Sequence, residues 1–315
     1  MLPVIGSLTL ADVAARRQRR RDRARGLFSW RPGSLALTTS PSLVRTYIDA
    51  SGIVRTVASG VVRDADYSTG QRGMLVESER TNEVTNSTSS GGWTVALGAV
   101  ATPNAVLGPD GVTWAVRISN LQSQPSAQSN RTLVGRALPS LTVAGALWIR
   151  CEAGDVGKAV SVEFKRTSGS TYAGSSMEYS LTAQWRRLLL PTFLTAADSV
   201  SVTASIRGLA AGADSCLVWL PTIEIAPWAS SGILTIDVAL TRAADAVSAI
   251  GVLPVGIHAT RYEHYFDLAT NAVVERVVDV PATSGDVVFT NDRAWYALAY
   301  DTGVKTLAEM QAVAA

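Results

Sequence analysis

The chain has 315 residues, 47% of them hydrophobic and 17% charged, with a net charge of +2. That length suits two or three domains, and that apolar fraction excludes wholesale disorder. No run reaches the ~18 apolar residues of a membrane-spanning helix, and two cysteines, Cys151 and Cys216, are too few for a disulfide framework.

The charge is uneven. Residues 1–30 hold seven arginines against Asp12 and Asp22, which leaves +5 there and −3 on the remainder. Thr9-x-x-Asp12 has the form of a capping box, and the spacing from Ala14 and Ala15 to Gly26 predicts a helix over 10–25. Such a helix is about 24 Å long. Arg16, Arg17, Arg19, Arg20, Arg21, Arg23 and Arg25 would cover roughly 240° of its circumference. The remaining arc, Ala11, Ala15, Gln18 and Asp22, is too narrow and polar for a membrane-surface helix. Three readings stand: an anchor in an acidic groove on a partner protein, phosphate contact with nucleic acid, or a solvated tail. No aromatics interleave for base stacking, so the anchor is favoured and a nucleic-acid partner is not expected. The apolar start MLPVIGSLTLADVAA has its positive charges after it, unlike a signal peptide, so assembly in a reducing cytoplasm is expected.

Arg31-Pro32-Gly33 breaks the helix. Short strands are expected at 34–38, 44–48 and 53–57, the last two forming a hairpin over Asp49-Ala50-Ser51-Gly52, and 63–70 reads as a loop. From 73 to 230, strands recur every 10–15 residues, at 94–99, 114–118, 141–151, 159–165, 177–181, 186–190, 200–206 and 217–225. Period-2 alternation is visible in VSVEFKR and VSVTASI, and Gly-rich turns such as GPDG separate the runs. This pattern predicts an antiparallel sandwich or jelly roll. Further strands are expected at 234–240, 247–250, 259–267, 272–280, 286–289 and 295–300, then a helix over 304–313. The fold class is therefore mainly β: a sandwich plus a smaller C-terminal β domain, preceded by a basic helix and an extended arm. The partition read from the chain is 1–30, 31–72, 73–230 and 231–315.

Few residues suggest chemistry. Glu77 and Glu79, if on one strand, share a face at a separation that suits a glycosidase pair. His258 and His264 are six residues apart, too far to chelate one metal alone. The GDVGK run at 154–158 lacks the spacing of a phosphate loop. Cys151 and Cys216 lie in apolar runs and read as buried free thiols, with a bridge open if their strands are neighbours. Of six tryptophans in the sandwich, Trp148 and Trp219 read as core. Trp93 and Trp228 fall in loops and are the candidates for stacking on a sugar ring. Asp110 in the GPDG turn is a candidate calcium ligand. No cofactor and no metal site is expected.

Two phrases carry a resemblance. GMLVESERTN at Gly73–Asn82 resembles the "GLLvEpaRTN" phrase of bacteriophage tail, fibre and head-decoration proteins. VWLPTIEIAPWASSGILTIDVALTRAAD at 218–245 resembles a strand in the same proteins that ends in "aQlE.g.ysTsyI" and runs into "TRaaD". RTYIDASGIVRTV also resembles their "tyfdasGvl.ta". The resemblance covers about residues 44–250, with Ser78 standing where proline is common. It implies a jelly roll like a carbohydrate-binding module, with Glu77, Arg80 and Asn82 tying a strand start to a neighbouring loop. It also implies a homotrimeric, non-enzymatic virion component, anchored to other virion proteins by its N-terminus and able to bind host surface glycans. A polysaccharide-degrading tailspike would show a long β-helix repeat, and a secreted bacterial lectin a signal peptide. Neither mark is visible.

Overall fold

The computed structural model describes residues 72–123, 127–134, 139–168, 171–195, 201–245, 258–270, 272–280, 292–302 and 306–314. Shorter described stretches are 28–29, 37–39, 45–48, 54–57, 63–66, 197, 247–249 and 287–289. The predicted helix over 10–25, with its seven arginines, lies outside the described residues.

Before the sandwich come seven short strands: β1 (Phe28–Ser29), β2 (Leu37–Thr39), β3 (Arg45–Ile48), β4 (Val54–Val57), β5 (Arg63–Asp66), β6 (Arg72–Val76) and β7 (Arg80–Asn82). The expected hairpin is present as β3 against β4, Arg45 opposite Val57. The expected loop at 63–70 instead begins with β5, which pairs β6. Ten strands follow: β8 (Thr94–Ala96), β9 (Val100–Leu107), β10 (Trp114–Ser119), β11 (Gln128–Val134), β12 (Thr142–Arg150), β13 (Ala159–Ser168), β14 (Thr171–Ser180), β15 (Arg186–Leu194), β16 (Ser201–Gly208) and β17 (Cys216–Glu224). They form two antiparallel sheets, β15-β12-β17-β10-β9 and β14-β13-β16-β11-β8. Leaving aside edge strands β8 and β9, β10 to β17 have the strand order of an eight-stranded jelly roll.

Alternation builds the core. Val160, Val162 and Phe164 of β13 and Val202, Ala204 and Ile206 of β16 face Val143, Leu147 and Ile149 of β12 and Val218 and Ile223 of β17. Each fully buried side chain of this kind contributes roughly 1.5–3 kcal/mol. Gly145 is required where the sheets approach, because a Cβ there would lie 1.9 Å from the Phe164 ring. Trp148 and Trp219 are buried, as expected, but outside this interior. They lie in a separate cluster with Val54 of β4, Ala115 and Leu220, their rings edge to face at 6.3 Å. The cluster belongs to the outer side of the β12–β17 sheet, where the Val54 amide donates to the Pro109 carbonyl.

The remaining elements are β18 (Leu240–Arg242), β19 (Val247–Ala249), β20 (Ala259–Asp267), β21 (Ala272–Val280), β22 (Val287–Val288), β23 (Arg293–Thr302) and α1 (Leu307–Ala314). The expected strand at 234–240 is not formed: its Thr235 is spent on side-chain bonds to Val84 and Ser87, and pairing begins only at Leu240. A sheet β21-β20-β23-β6-β5 carries β1 on β23, beside a separate sheet β2-β19-β22. Tyr265, Trp295 and Phe289 are buried in ring contact, at centroid distances of 4.9 and 5.6 Å. Helix α1 opens on a capping box in which Thr306 Oγ1 accepts from the Glu309 amide and Glu309 Oε2 accepts from the Thr306 amide. No helix among the described residues is long and apolar enough to cross a membrane.

The compact units are not consecutive in the chain. One is built from Pro41–Val61 and Glu77–Ala244, the other from Val62–Val76 and Asp245–Ala315 together with residues before Pro41. The chain therefore enters the jelly-roll unit for its main passage at Glu77 and leaves it at Ala244. Those two points fall inside the two phrases that resemble phage proteins.

Candidate functional site

The two phrases meet. β7 pairs β18 with Asn82 opposite Leu240, Thr81 opposite Thr241 and Arg80 opposite Arg242. Beside this ladder the Glu77 carboxylate, fully buried, accepts from the Ser231 amide and hydroxyl at 2.6 Å each and lies 3.0 Å from Arg242 Nη1. Arg242 is 1% exposed and also donates to Ser231 Oγ and the Ser78 carbonyl. Asn82 donates to the Ile233 carbonyl and accepts from the Val84 and Ile223 amides. The buried Glu224 accepts from the Ser230 amide and hydroxyl, and Arg80 Nε stands 3.8 Å away. Burial pushes the Glu224 carboxyl up, against the downward pull of Ser230, Arg242 and Arg187. A buried charge is tolerable when it is paired and hydrogen-bonded; Glu77 and Arg242 pair with each other in this network, and Arg242 Nε is buried without an acceptor. The network joins entry to exit.

The glycosidase-like pair is thereby dismantled. Residues 77–79 belong to no strand, Glu77 is committed to Arg242, and Glu79 faces solvent. The strand geometry expected for the two acids is absent because β6 ends at Val76 and β7 begins at Arg80.

The loop tryptophans are only half available. Trp93 is half-buried and packs against the sandwich core. Trp228 is half-buried with the Arg80 guanidinium 5.0 Å from its ring centroid, and its indole N–H is buried without an acceptor. Trp114, not singled out in the sequence, is 47% exposed on β10, opposite Leu107 at 43% and close in sequence to Val112 at 75%. Its turn is fixed by Asp110, whose Oδ1 accepts from the Val112 and Thr113 amides and whose Oδ2 accepts from the Thr113 hydroxyl. Asp110 is thus spent on the turn, and among the described residues no acidic, histidine or cysteine cluster is arranged for a metal. The signal for Trp114 was its place three residues after the GPDG turn.

The second candidate surface is the outer face of the β14-β13-β16-β11-β8 sheet. One row across five strands reads Ser176, Glu163, Ser205, Asn130, Thr94. At ordinary strand spacing it spans roughly 19 Å. Glu163 is held between Lys165 Nζ at 2.5 Å and Arg207 Nη2 at 2.7 Å. Along this row Ser176 and Thr94 are exposed and Asn130 is half-buried, whereas Glu163 and Ser205 are buried, so the open polar groups lie toward the edges of the sheet.

The other candidates disperse. His258 pairs with Asp279 at 2.5 Å, whereas His264 lies by Tyr262, its pKa lowered by burial against the upward pull of Glu275. In the GDVGK run, Asp155 accepts from Lys158, from the Asp214 and Ser215 amides and from the Ser215 hydroxyl, a structural tie and no phosphate loop. Cys151 and Cys216 are free and buried.

No family model and no curated protein matches the chain. Among solved structures it is similar to the CBM22-1 xylan-binding domain of Paenibacillus barcinonensis Xyn10C, at 13% identity over 47% of this chain and 92% of that one, TM-score 0.35. It is similar to the C-terminal family 22 carbohydrate binding module of Clostridium thermocellum Xyn10B, at 15% identity over 48% and 94%, TM-score 0.36. A third likeness is to the enzymatically active domain of bacteriophage CBA120 tailspike protein 4, at 10% identity over 45% and 21%, TM-score 0.32. At these scores no residue of one is matched to a role in another.

Proposed function

We propose that this chain is a non-enzymatic structural component of a bacteriophage particle, a tail-fibre, tail or head-decoration protein. Its N-terminal arginines anchor it to other virion proteins, it assembles as a homotrimer, and its jelly-roll unit contacts host surface glycan. The observation that carries this reading is the meeting of the two phage-like phrases, Arg80 opposite Arg242 with Glu77 bound to Arg242, at the entry and exit of the jelly roll. The phrases are thus accounted for as the clasp of that unit, and Glu77 has no catalytic task. Trp114 and the exposed Ser176 and Thr94, with half-buried Asn130 between them, support glycan contact. Stacking of one sugar ring is worth about 1 kcal/mol, so trimeric avidity supplies most of the adsorption strength.

A chain lacking residues 1–26, which keeps β1, is expected to fold but not to enter particles, and the full chain to sediment as a trimer. On a glycan array it is expected to bind, with binding weakened by Trp114→Ala, and to release no reducing sugar. Normal incorporation of the truncated chain would remove the anchor. Sugar release abolished by Glu79→Gln would overturn the non-enzymatic reading.

A further inference from the structure

The unit formed with the C-terminal strands gathers three arginines on one buried carboxylate. On β20 the side chain of Glu263 is 1% exposed, and three guanidinium groups converge on it from three strands. Arg261 Nη2 of β20 lies at 2.8 Å, Arg276 Nε of β21 at 2.8 Å and Arg293 Nη1 of β23 at 3.8 Å. Arg293 also stacks on Tyr265, its guanidinium carbon 4.0 Å from the ring centroid, which fixes its plane. Asp267 is the other carboxylate acting on Arg276, and its Oδ1 already accepts from the Ala269 and Thr270 amides. Among the described side chains in this group, three cations stand against two carboxylates, which leaves one positive charge. Arg261 Nε is buried with no acceptor. Arg276 and Arg261 are the open members, with side chains 46% and 30% exposed. They are diagonal neighbours across β20 and β21, since Glu263 lies opposite Arg276 and Arg261 opposite Val278. Diagonal positions bring long side chains within reach of one another, and guanidinium forks match the oxygens of a carboxylate or phosphate.

We propose that Arg261, Arg276 and Arg293 form an oxyanion site whose ligand is the carboxylate or phosphate group of an acidic glycan. Glu263 is its internal counter-ion: it aims the three forks and holds them together while the site is empty. The oxyanion part stands on this geometry alone, and the glycan part rests on the functional reading above.

The test uses the full chain. Inorganic phosphate and glucuronate are each titrated by calorimetry against sodium chloride at equal ionic strength, for wild type, Arg261→Gln/Arg276→Gln and Arg117→Gln. The Arg117→Gln variant controls for an ion-paired arginine of the jelly-roll unit. Wild type and Arg117→Gln are expected to bind both anions beyond the salt effect, and the double variant about tenfold or more weaker. Circular dichroism checks folding, and Arg276→Gln alone, at the more exposed position, serves if the double variant does not fold. Equal binding by wild type and a folded arginine variant, or no binding beyond chloride, overturns the site. On a glycan array, selective loss of uronate-bearing glycans in the variant identifies a carboxylate source, and loss of phosphorylated glycans a phosphate source. Arginine-dependent phosphate binding without capture of any acidic glycan overturns the glycan as occupant. Unchanged binding to neutral glycans leaves the jelly-roll reading intact whichever way the arginines behave.

Discussion

Removing Arg242 tests whether the joined phrases hold the jelly-roll unit closed. Glu77 and Arg242 are 0% and 1% exposed and 3.0 Å apart. In Arg242→Met the carboxylate keeps the Ser231 amide and hydroxyl at 2.6 Å but loses its counter-charge. An uncompensated buried charge costs about 3–5 kcal/mol, and the Ser78 carbonyl loses a donor as well. Glu77→Leu alone removes the carboxylate in contact with the guanidinium and leaves Glu224 as the carboxylate acting on it, so its cost is expected to be the smaller of the two. The double variant Glu77→Leu/Arg242→Met removes both charges and is expected to recover at least about 2 kcal/mol relative to the sum of the single losses. Urea unfolding followed by circular dichroism supplies the four free energies, with the midpoint and slope fitted for the transition that moves. Two units allow two transitions, and only the one belonging to the sandwich should shift. If the single losses add without coupling, the pair is not a clasp and the reasoning fails.

Other predictions follow from the packing and the ties. Gly145→Ala places a methyl 1.9 Å from the Phe164 ring and should cost about 1–3 kcal/mol in the same assay, with Phe164→Leu restoring part of it. Burial pushes the Asp155 carboxyl up, but bonds from Lys158, Ser215 and Asp214 outweigh it and hold it below its ordinary 3.8. Its stabilisation is therefore present above the unfolded value and lost as pH falls through the folded one. Asp155→Asn should lower stability at pH 7 and flatten the acid limb of a stability–pH curve, and an unchanged limb would refute this tie. Burial pushes both thiols up, Cys216 the further. Neither Cys151 nor Cys216 should react with a thiol reagent until urea unfolds the chain, and rapid labelling of the native protein would contradict their placement.

The sequence was legible where local pattern and burial agree. VSVEFKR and VSVTASI alternate because one face of β13 and of β16 meets the core, so those strands were readable from period 2 alone. β9 was not readable: VATPNAVL contains a proline, and Asn104 takes a left-handed φ of 53°, features of an irregular edge. β11 was missed because QSNRTLV is polar on both faces. It turns Asn130 outward and buries Arg131, whose Nη atoms donate to the Ser89 and Asn86 carbonyls. Burial lowers the Arg131 pKa to about 10. The capping box of α1 stands in the sequence as Thr306 and Glu309, and it places the first helical residue at Leu307, three residues after the expected start at 304. Of the candidate sites, the residues of the clasp were all in the quoted phrases, whereas Trp114 and the three arginines stood in no phrase at all.

By itself the sequence determined the strand content, the hairpin of β3 and β4, the buried thiols and the two phrases at Gly73–Asn82 and 218–245. Those follow from side-chain period, turn chemistry and hydrophobicity, which act over a few residues. Only the tertiary structure decided that Arg80 stands opposite Arg242, that β6 pairs β23, and that Trp148 and Trp219 are buried on the outer side of their sheet. Alternation says which residues share a face. It does not say which strand lies alongside or what covers the second face, because a jelly roll interleaves its strands and ladder hydrogen bonds are alike at every register. Those choices are made by long-range burial, here of Glu77 against Arg242 and Val54 against the tryptophans, between residues the chain holds far apart.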